Sequence, residues 1–224
     1  MCARFAFFSG KIIKDEFGVP VVPDLQPRFN IPPTSTVPAI IETDKARELR
    51  LFQWGLVPSW AKDPAIGARM INARAETLAE KPTFRAAFKR RRCLIPADGF
   101  YEWTGDKGRK QPYYITMRTN RTFAFAGLWE YWEGVDGALE TCTIITTEAN
   151  ETVAKVHERM PVIVARGDYA TWLDTRIETR SLQTILTPYP ADEMTLHPVN
   201  KAMGNPAFDG PECIIRVEVP SLFS

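Results

Sequence analysis

The sequence predicts an α+β fold in a single domain over residues 1–224, built on a largely antiparallel, curved or barrel-like β-sheet flanked by a few short helices. Short runs rich in β-branched and aromatic residues dominate the chain and are bounded by turn residues. The dipeptides Gly105-Asp106 and Asp136-Gly137 separate neighbouring runs, a pattern typical of hairpins. Helical periodicity is confined to a few short segments, so the sheet is expected to form most of the core.

The predicted strands follow one another along most of the chain. They cover residues 4–8, 50–57, 93–103, 112–118, 122–132, 139–147 and 161–165. A helix is predicted after Pro82, with Thr83 as its N-cap, because apolar residues then recur at helical spacing. Its core-facing residues are Phe84, Ala87 and Phe88, and its outward basic residues are Arg85, Lys89 and Arg92. Two further helices are predicted at 168–173 and 177–186.

Composition excludes several classes of protein and function. The chain is 45% hydrophobic and 25% charged with a net charge of +1, values of an ordinary globular protein without a global attraction to nucleic acid. The four cysteines are widely spaced and the chain has two histidines, so we expect reduced thiols, no metal and no cofactor. No apolar run approaches the roughly 20 residues that span a bilayer, and a cytoplasmic protein is expected.

Cys2, directly after Met1, is the most informative position in the sequence. Removal of Met1 leaves an amine and a thiol on adjacent carbon atoms. The amine, with a pKa of about 8, condenses with an aldehyde to an imine. The thiol then closes a thiazolidine ring, an intramolecular step with an effective molarity on the order of 10⁵ M or more. A cysteine without a catalytic role is the alternative.

Polar residues alternate with small or apolar ones from Ile71 to Glu76. If this segment is extended, Asn72, Arg74 and Glu76 share one face. Asparagine supplies a donor and an acceptor, and arginine supplies a planar fork suited to phosphate. A solvent-facing edge strand explains the same spacing.

Glu102 and His157 are candidate proton carriers. Glu102 lies in an aromatic strand, where burial would raise its pKa and make it a proton donor near neutrality. His157, between Val156 and Glu158, precedes a buried strand and can shuttle protons or bind an anion. A surface glutamate and a structural histidine are the respective alternatives.

Trp54 and Trp60 are expected to be core aromatics. If either is exposed beside Arg4 and Arg74, it becomes a platform for an unstacked base. Exposure distinguishes these interpretations.

Seven blocks, in order over nearly the full chain, resemble the SOS response-associated peptidase (SRAP) family. They are MCAR (1–4), PRFNIPP (27–33), QWGLVPSW (53–60), INARAET (71–77), CLIPADGFYEW (93–103), HERMP (157–161) and HPVN (197–200). The resemblance implies a sensor of abasic sites in single-stranded DNA, and a monomer is the default expectation for its oligomeric state. Such a sensor crosslinks to the lesion through its mature N-terminal cysteine and shields it, with self-processing peptidase and abasic-site lyase activities.

The resemblance also implies roles for individual residues. Cys2 matches the family nucleophile, and Asn72 matches the asparagine that orients the cysteine and the sugar. Glu102 matches the carboxylate that helps to open the sugar, and His157 the histidine that acts with it. The phosphate-binding arginines correspond to Arg4, Arg74 and Arg159, and the residues in blocks that shape the DNA groove are Asn30, Pro33, Trp54 and Trp103.

One departure from the family pattern is Ala3, where the family usually has glycine. Its methyl group is either tolerated or narrows the site, and it leaves the aminothiol intact. Two other functions fit parts of the sequence. An N-terminal-nucleophile amidohydrolase, such as a glutamine amidotransferase-like enzyme, uses the same thiol and amine on an amide. A non-catalytic single-strand binding module would leave Cys2 without a role.

Overall fold

A computed structural model describes residues 2–106, 108–135 and 137–219, and these form two β-sheets with short helices around them. The strands are β1 (Phe5–Phe7), β2 (Arg28–Ile31), β3 (Thr36–Glu42), β4 (Arg47–Trp54), β5 (Asn72–Arg74), β6 (Arg92–Ala97), β7 (Gly99–Thr104), β8 (Gln111–Met117), β9 (Phe123–Gly134), β10 (Gly137–Glu148), β11 (Arg159–Pro161), β12 (Ile163–Val164) and β13 (Met194–Pro198). The α-helices are α1 (Ile13–Phe17), α2 (Pro82–Arg90) and α3 (Tyr169–Leu173).

Five strands of the larger sheet close into a barrel in the order β10, β4, β3, β6 and β9. The ring closes because β9 and β10 form a long antiparallel hairpin, from Gly134↔Gly137 to Gly127↔Ile144. The pairing of β10 with β4 is parallel, as is that of β10 with β5, and the other pairings are antiparallel. The predicted α+β fold with a largely antiparallel, barrel-like sheet is therefore confirmed, although the strands belong to two sheets.

The smaller sheet has the order β13, β8, β7, β1 and β2, and all its pairings are antiparallel. The predicted hairpin at Gly105-Asp106 joins β7 to β8, whereas Asp136 lies outside the described residues. The backbone N–H of Tyr101 donates to the carbonyl of Arg4 at 3.0 Å. This bond extends the contact of β1 with β7 and brings the start of the chain towards Glu102.

The predicted single strand at 93–103 is two strands in different sheets, divided at Asp98. The Asp98 carboxylate is buried and accepts hydrogen bonds from the backbone N–H groups of Phe8 and Ser9 at 2.7 and 2.9 Å and from the Thr122 hydroxyl. These bonds fix a corner that carries the chain from the barrel into the smaller sheet. The pattern of apolar residues alone did not predict that corner.

Helix α2 confirms the predicted apolar face, because Phe84, Ala87 and Phe88 are buried. Its N-cap is Lys81, not Thr83, since Pro82 occupies the first helical turn. The prediction that Arg92 points outward is wrong. Arg92 is buried in β6, and its guanidinium donates to backbone carbonyls, including that of Trp172 at 2.6 Å.

Helix α3 is shorter than predicted, and the segment 177–186 forms a 3-10 turn at Thr179–Leu182 in place of an α-helix. Strands β2, β3 and β13 and helix α1 were not predicted. Among the described residues, no helix has the length and apolarity needed to cross a bilayer. The same residues contain no cluster of three or more His, Cys, Asp or Glu side chains suited to a metal ion.

Candidate functional site

Cys2 lies at the point where the two sheets meet, and it is fully buried. The Asn72 side-chain amide donates to the Cys2 carbonyl at 2.7 Å, which ties the start of the chain to β5. Burial raises the pKa of the Cys2 thiol well above its usual value, and the negative charge of Glu102 raises it further. The thiol is therefore protonated at neutral pH, and Glu102 is near enough to act on it electrostatically.

Glu102 is a buried carboxyl group in the middle of β7, with a side chain only 3% exposed. Burial raises its pKa to about 7, because the ionised form loses hydration. The charge of Lys110, in the hairpin that follows, acts in the opposite direction. Glu102 can therefore both hold and release a proton near neutral pH, as the sequence predicted for a buried carboxyl group at this position.

His157 faces Glu102 from the loop that precedes β11, with Nε2 4.0 Å from the Glu102 carboxylate. Its Nδ1 is turned towards the backbone of Arg159, 2.9 Å from the N–H group and 3.1 Å from the carbonyl oxygen. These contacts fix the ring so that Nε2 points to the carboxyl group. Burial lowers the pKa of His157, so the imidazole is neutral at pH 7.

Asn72 and Arg74 project from one face of β5, which pairs with β10. The Asn72 amide oxygen is buried and has no hydrogen-bond partner among the described residues. It can accept a hydrogen bond from a ligand beside Cys2. Arg74 is exposed. The interpretation of residues 71–76 as one extended face is wrong for Glu76, because β5 ends at Arg74 and Glu76 lies in a 3-10 turn.

Arg159 begins β11 and forms a two-point ion pair with Glu76, in which its Nη2 lies 3.0 Å from the carboxylate. The same Nη2 donates to the Thr146 carbonyl at 2.8 Å. The ion pair lowers the pKa of Glu76. Arg159 thus lies beside His157, with much of its hydrogen-bonding capacity already used.

Arg4 is held by Asn30, whose side-chain oxygen accepts from Arg4 Nη1 at 2.7 Å. The Asn30 amide donates to the carbonyls of Met203 and Phe208 at 2.8 and 2.7 Å. Asn30 is fully buried. The assignment of Asn30 to the DNA-binding residues is therefore corrected: it positions Arg4 and has no surface with which to contact a nucleic acid.

Trp54 is also excluded as a platform for a base, because it is fully buried and packs edge-on against Phe5. Its indole N–H donates to the Ile71 carbonyl at 2.9 Å, so it supports the segment that leads into β5. Trp103 and Pro33 are half-buried, and Trp60 is 61% exposed. Exposure therefore leaves Trp60, in the same sequence block as Trp54, as the stronger candidate for stacking.

Lys110 is a basic residue near the site that the sequence did not single out. Burial has the largest effect on the pKa values of Glu102 and His157, and the charge of Lys110 has the smallest of the effects that act on them. Lys110 lies at the turn that joins β7 to β8, and the register of that hairpin places Tyr113, not Lys110, opposite Glu102.

The arrangement combines a thiol, an amide that fixes the backbone of Cys2, a carboxyl group with a pKa of about 7 and a neutral imidazole. Arginines surround these groups, with Arg74 exposed and Arg4 and Arg159 held by partners. Such a site suits attack on an electrophilic carbon in a substrate that carries negative charge.

Comparisons with known proteins agree with the sequence blocks. The family model described as SOS response associated peptidase (SRAP) matches residues 1–206. Abasic site processing protein YoqW of Bacillus subtilis is 42% identical over 221 residues, which cover 96% of this chain and 99% of that protein. Abasic site processing protein HMCES of Xenopus tropicalis is 32% identical over 226 residues, covering 86% of this chain and 67% of that protein.

Among solved structures, a protein from Bacteroides thetaiotaomicron superposes with a TM-score of 0.88 at 25% identity, covering 97% of this chain and all of that one. The family match, the relatives and the structural likeness extend over nearly the whole chain. The chain therefore belongs to the SOS response associated peptidase (SRAP) family.

Proposed function

We propose that this protein processes abasic sites in single-stranded DNA by forming a covalent bond to the lesion through Cys2, after removal of Met1. The names of the YoqW and HMCES relatives support abasic-site processing. The observation that carries the chemical part of the proposal is the buried carboxyl group of Glu102, with a pKa of about 7, between Cys2 and His157.

The first step is opening of the abasic sugar, which exists mostly as a closed hemiacetal. Opening removes a proton from the hydroxyl group on C1′ and delivers one to the ring oxygen, and it yields the aldehyde. Glu102 and His157 are suited to these transfers, because Glu102 has a pKa of about 7 and the neutral imidazole of His157 can accept a proton. Asn72 offers its unpaired side-chain oxygen to a sugar hydroxyl.

The second step is capture of the aldehyde. The Cys2 α-amine adds to the carbonyl carbon, and loss of one water gives an imine. The thiol sulfur then adds to the imine carbon, its proton passes to the nitrogen, and a thiazolidine ring results. Because burial keeps the thiol protonated, the amine is the first nucleophile in this order of events.

Recognition follows from what an abasic site lacks. With no base edge to read, binding depends on phosphate contacts and stacking, so it is independent of sequence and weakened by salt. Arg4, Arg74 and Arg159 are the proposed phosphate contacts, and Trp60 is added as a stacking surface. Cleavage of the Met1–Cys2 peptide bond is the one proteolytic event that this function requires.

The experiment is retention of DNA on a denaturing gel after incubation with abasic single-stranded DNA. The wild-type protein is expected to retain the labelled strand, and Cys2→Ala is expected to abolish retention. Cys142→Ala is the matched control, because Cys142 is another fully buried free thiol, in β10 of the barrel. Retention by Cys2→Ala would refute the proposal, and so would equal loss in the two variants.

An assay for ammonia release from glutamine separates this function from an amidohydrolase with the same nucleophile. The proposal predicts no release above the level of Cys2→Ala. Release that depends on Cys2, without DNA retention, would instead support the amidohydrolase.

A further inference from the structure

We propose that Glu76 is a specificity-determining residue, which occupies the Arg159 guanidinium in the place of a DNA phosphate and so weakens binding to undamaged strands. The inference rests on the proposed function and assigns a role to a residue that the proposed chemistry does not use.

The first observation is the geometry of the ion pair. Both terminal nitrogens of Arg159 contact the two carboxylate oxygens of Glu76, the parallel arrangement with which arginine also binds phosphate. One of these nitrogens also donates to the Thr146 carbonyl. The outer edge of the guanidinium is therefore filled by the carboxylate.

The second observation is the difference in exposure between the partners. The Arg159 side chain is 14% exposed, whereas that of Glu76 is 52% exposed. The arginine is fixed in the wall of the site by Thr146, and the glutamate covers it from the solvent side. A phosphate that approaches Arg159 from solvent therefore meets the Glu76 carboxylate first and must displace it.

The third observation concerns neighbouring groups. Glu76 lies two residues after Arg74, and the same turn brings its charge close to both arginines, because Arg159 and then Arg74 lower its pKa. The carboxylate therefore reduces the positive potential on this side of the site. Undamaged strands, which bind through phosphate contacts alone, lose affinity, whereas a lesion is still retained by the covalent bond to Cys2.

The experiment measures non-covalent binding of undamaged single-stranded DNA across a salt series, for the wild type and Glu76→Gln. Glu76→Gln is expected to bind about three- to fivefold tighter at low salt, the effect of an exposed ion pair. The slope of log K against log salt is expected to become steeper by about 0.7, the value for one additional phosphate contact on a single strand.

Three further variants test the assignment to Arg159. In an Arg159→Gln background, Glu76→Gln is expected to lose most of its effect on the salt slope. Glu48→Gln removes the same charge from another exposed glutamate paired with an arginine, on β4, and is expected to leave the slope unchanged. Glu76→Ala repeats the measurement without the amide, and thermal unfolding verifies that each variant is folded.

Unchanged or weaker binding by folded Glu76→Gln and Glu76→Ala would overturn the inference and assign Glu76 to positioning Arg159. Failure of the proposed function has a different signature, because the wild type would then not retain abasic DNA, whatever residue stands at position 76.

Discussion

Glu102 and Glu76 border the same site, and their surroundings shift their pKa values in opposite directions. Glu102 is enclosed by the smaller sheet, so lost hydration raises its pKa to about 7. Glu76 lies in a turn open to solvent, and its hydrogen bonds with Arg159 lower its pKa. The comparison teaches that burial, not residue type, suits one carboxyl group to proton transfer and the other to charge pairing.

Exchanging each carboxyl group for an amide tests this division most strongly. Glu102→Gln is expected to slow crosslinking by about 10²-fold or more, the usual contribution of a proton-transferring group. Glu76→Gln is expected to change the rate less than about threefold at saturating DNA, because its ion pair acts on binding. Single-turnover crosslinking of the Met1-free proteins measures both. Similar losses in the two variants would break the comparison.

The pH dependence of stability sharpens the comparison between Glu102 and Glu76. Between pH 4.5, the usual pKa of Glu102, and pH 7, the folded protein retains a proton that the unfolded chain releases, so stability falls as the pH rises. The Glu102→Gln variant does not undergo this loss of stability with rising pH. Relative to the wild type, its free energy of unfolding is expected to increase by about 2–3 kcal/mol from pH 5 to pH 8.

Urea unfolding at the two pH values measures this change. Glu76→Gln serves as the control, because a carboxylate with a lowered pKa is ionised at both pH values in the folded state. A difference between Glu102→Gln and the wild type that stays constant with pH would mean that Glu102 is ionised when folded.

The variant Asn72→Ala tests whether crosslinking near Glu102 depends on the position in which Cys2 is held. Asn72→Ala removes the 2.7 Å hydrogen bond to the Cys2 carbonyl and is expected to slow crosslinking by about tenfold or more, since misplaced reactants lose near-attack geometry. Affinity for undamaged DNA is expected to stay the same. Gln26→Ala, which removes an exposed side-chain amide that donates to Asp24, is the control, and an equal effect there would point to general destabilisation.

The smallest effect is expected on DNA binding, from substitution of Arg74, which lies near Glu76. Arg74→Gln is expected to weaken binding of single-stranded DNA a few-fold for every sequence tested and to reduce the salt slope by about 0.7. Arg176→Gln, an exposed arginine paired with Asp174, is the control. If Arg74→Gln left the slope unchanged, Arg74 would not be a phosphate contact.

Local pattern was enough to predict the parts of the fold that depend on nearby residues. The apolar face of α2 and the hairpin from β7 to β8 follow from helical spacing and a turn dipeptide, and both are present. The convergence of Cys2, Asn72, Glu102 and His157 was expected only from the family resemblance, because their strands come from distant parts of the chain.

Three of the errors share one physical cause, which is long-range hydrogen bonding by polar side chains. Asp98 divides one predicted strand into two. Arg92 is held in the interior by hydrogen bonds to carbonyls that are distant in sequence, and the Asn30 side chain is used in hydrogen bonds to the backbone after residue 202. None of these partners lies within a window that local periodicity examines. Trp54 differs, because its two interpretations depended on exposure, which only the packed structure reveals.

Intact mass spectrometry of the purified protein, before and after incubation with abasic single-stranded DNA, tests the central claim most directly. The account predicts a protein that lacks Met1, and then a product with the combined mass of protein and DNA less one water. A protein that retains Met1, or one that lacks it and forms no such adduct, would contradict the account.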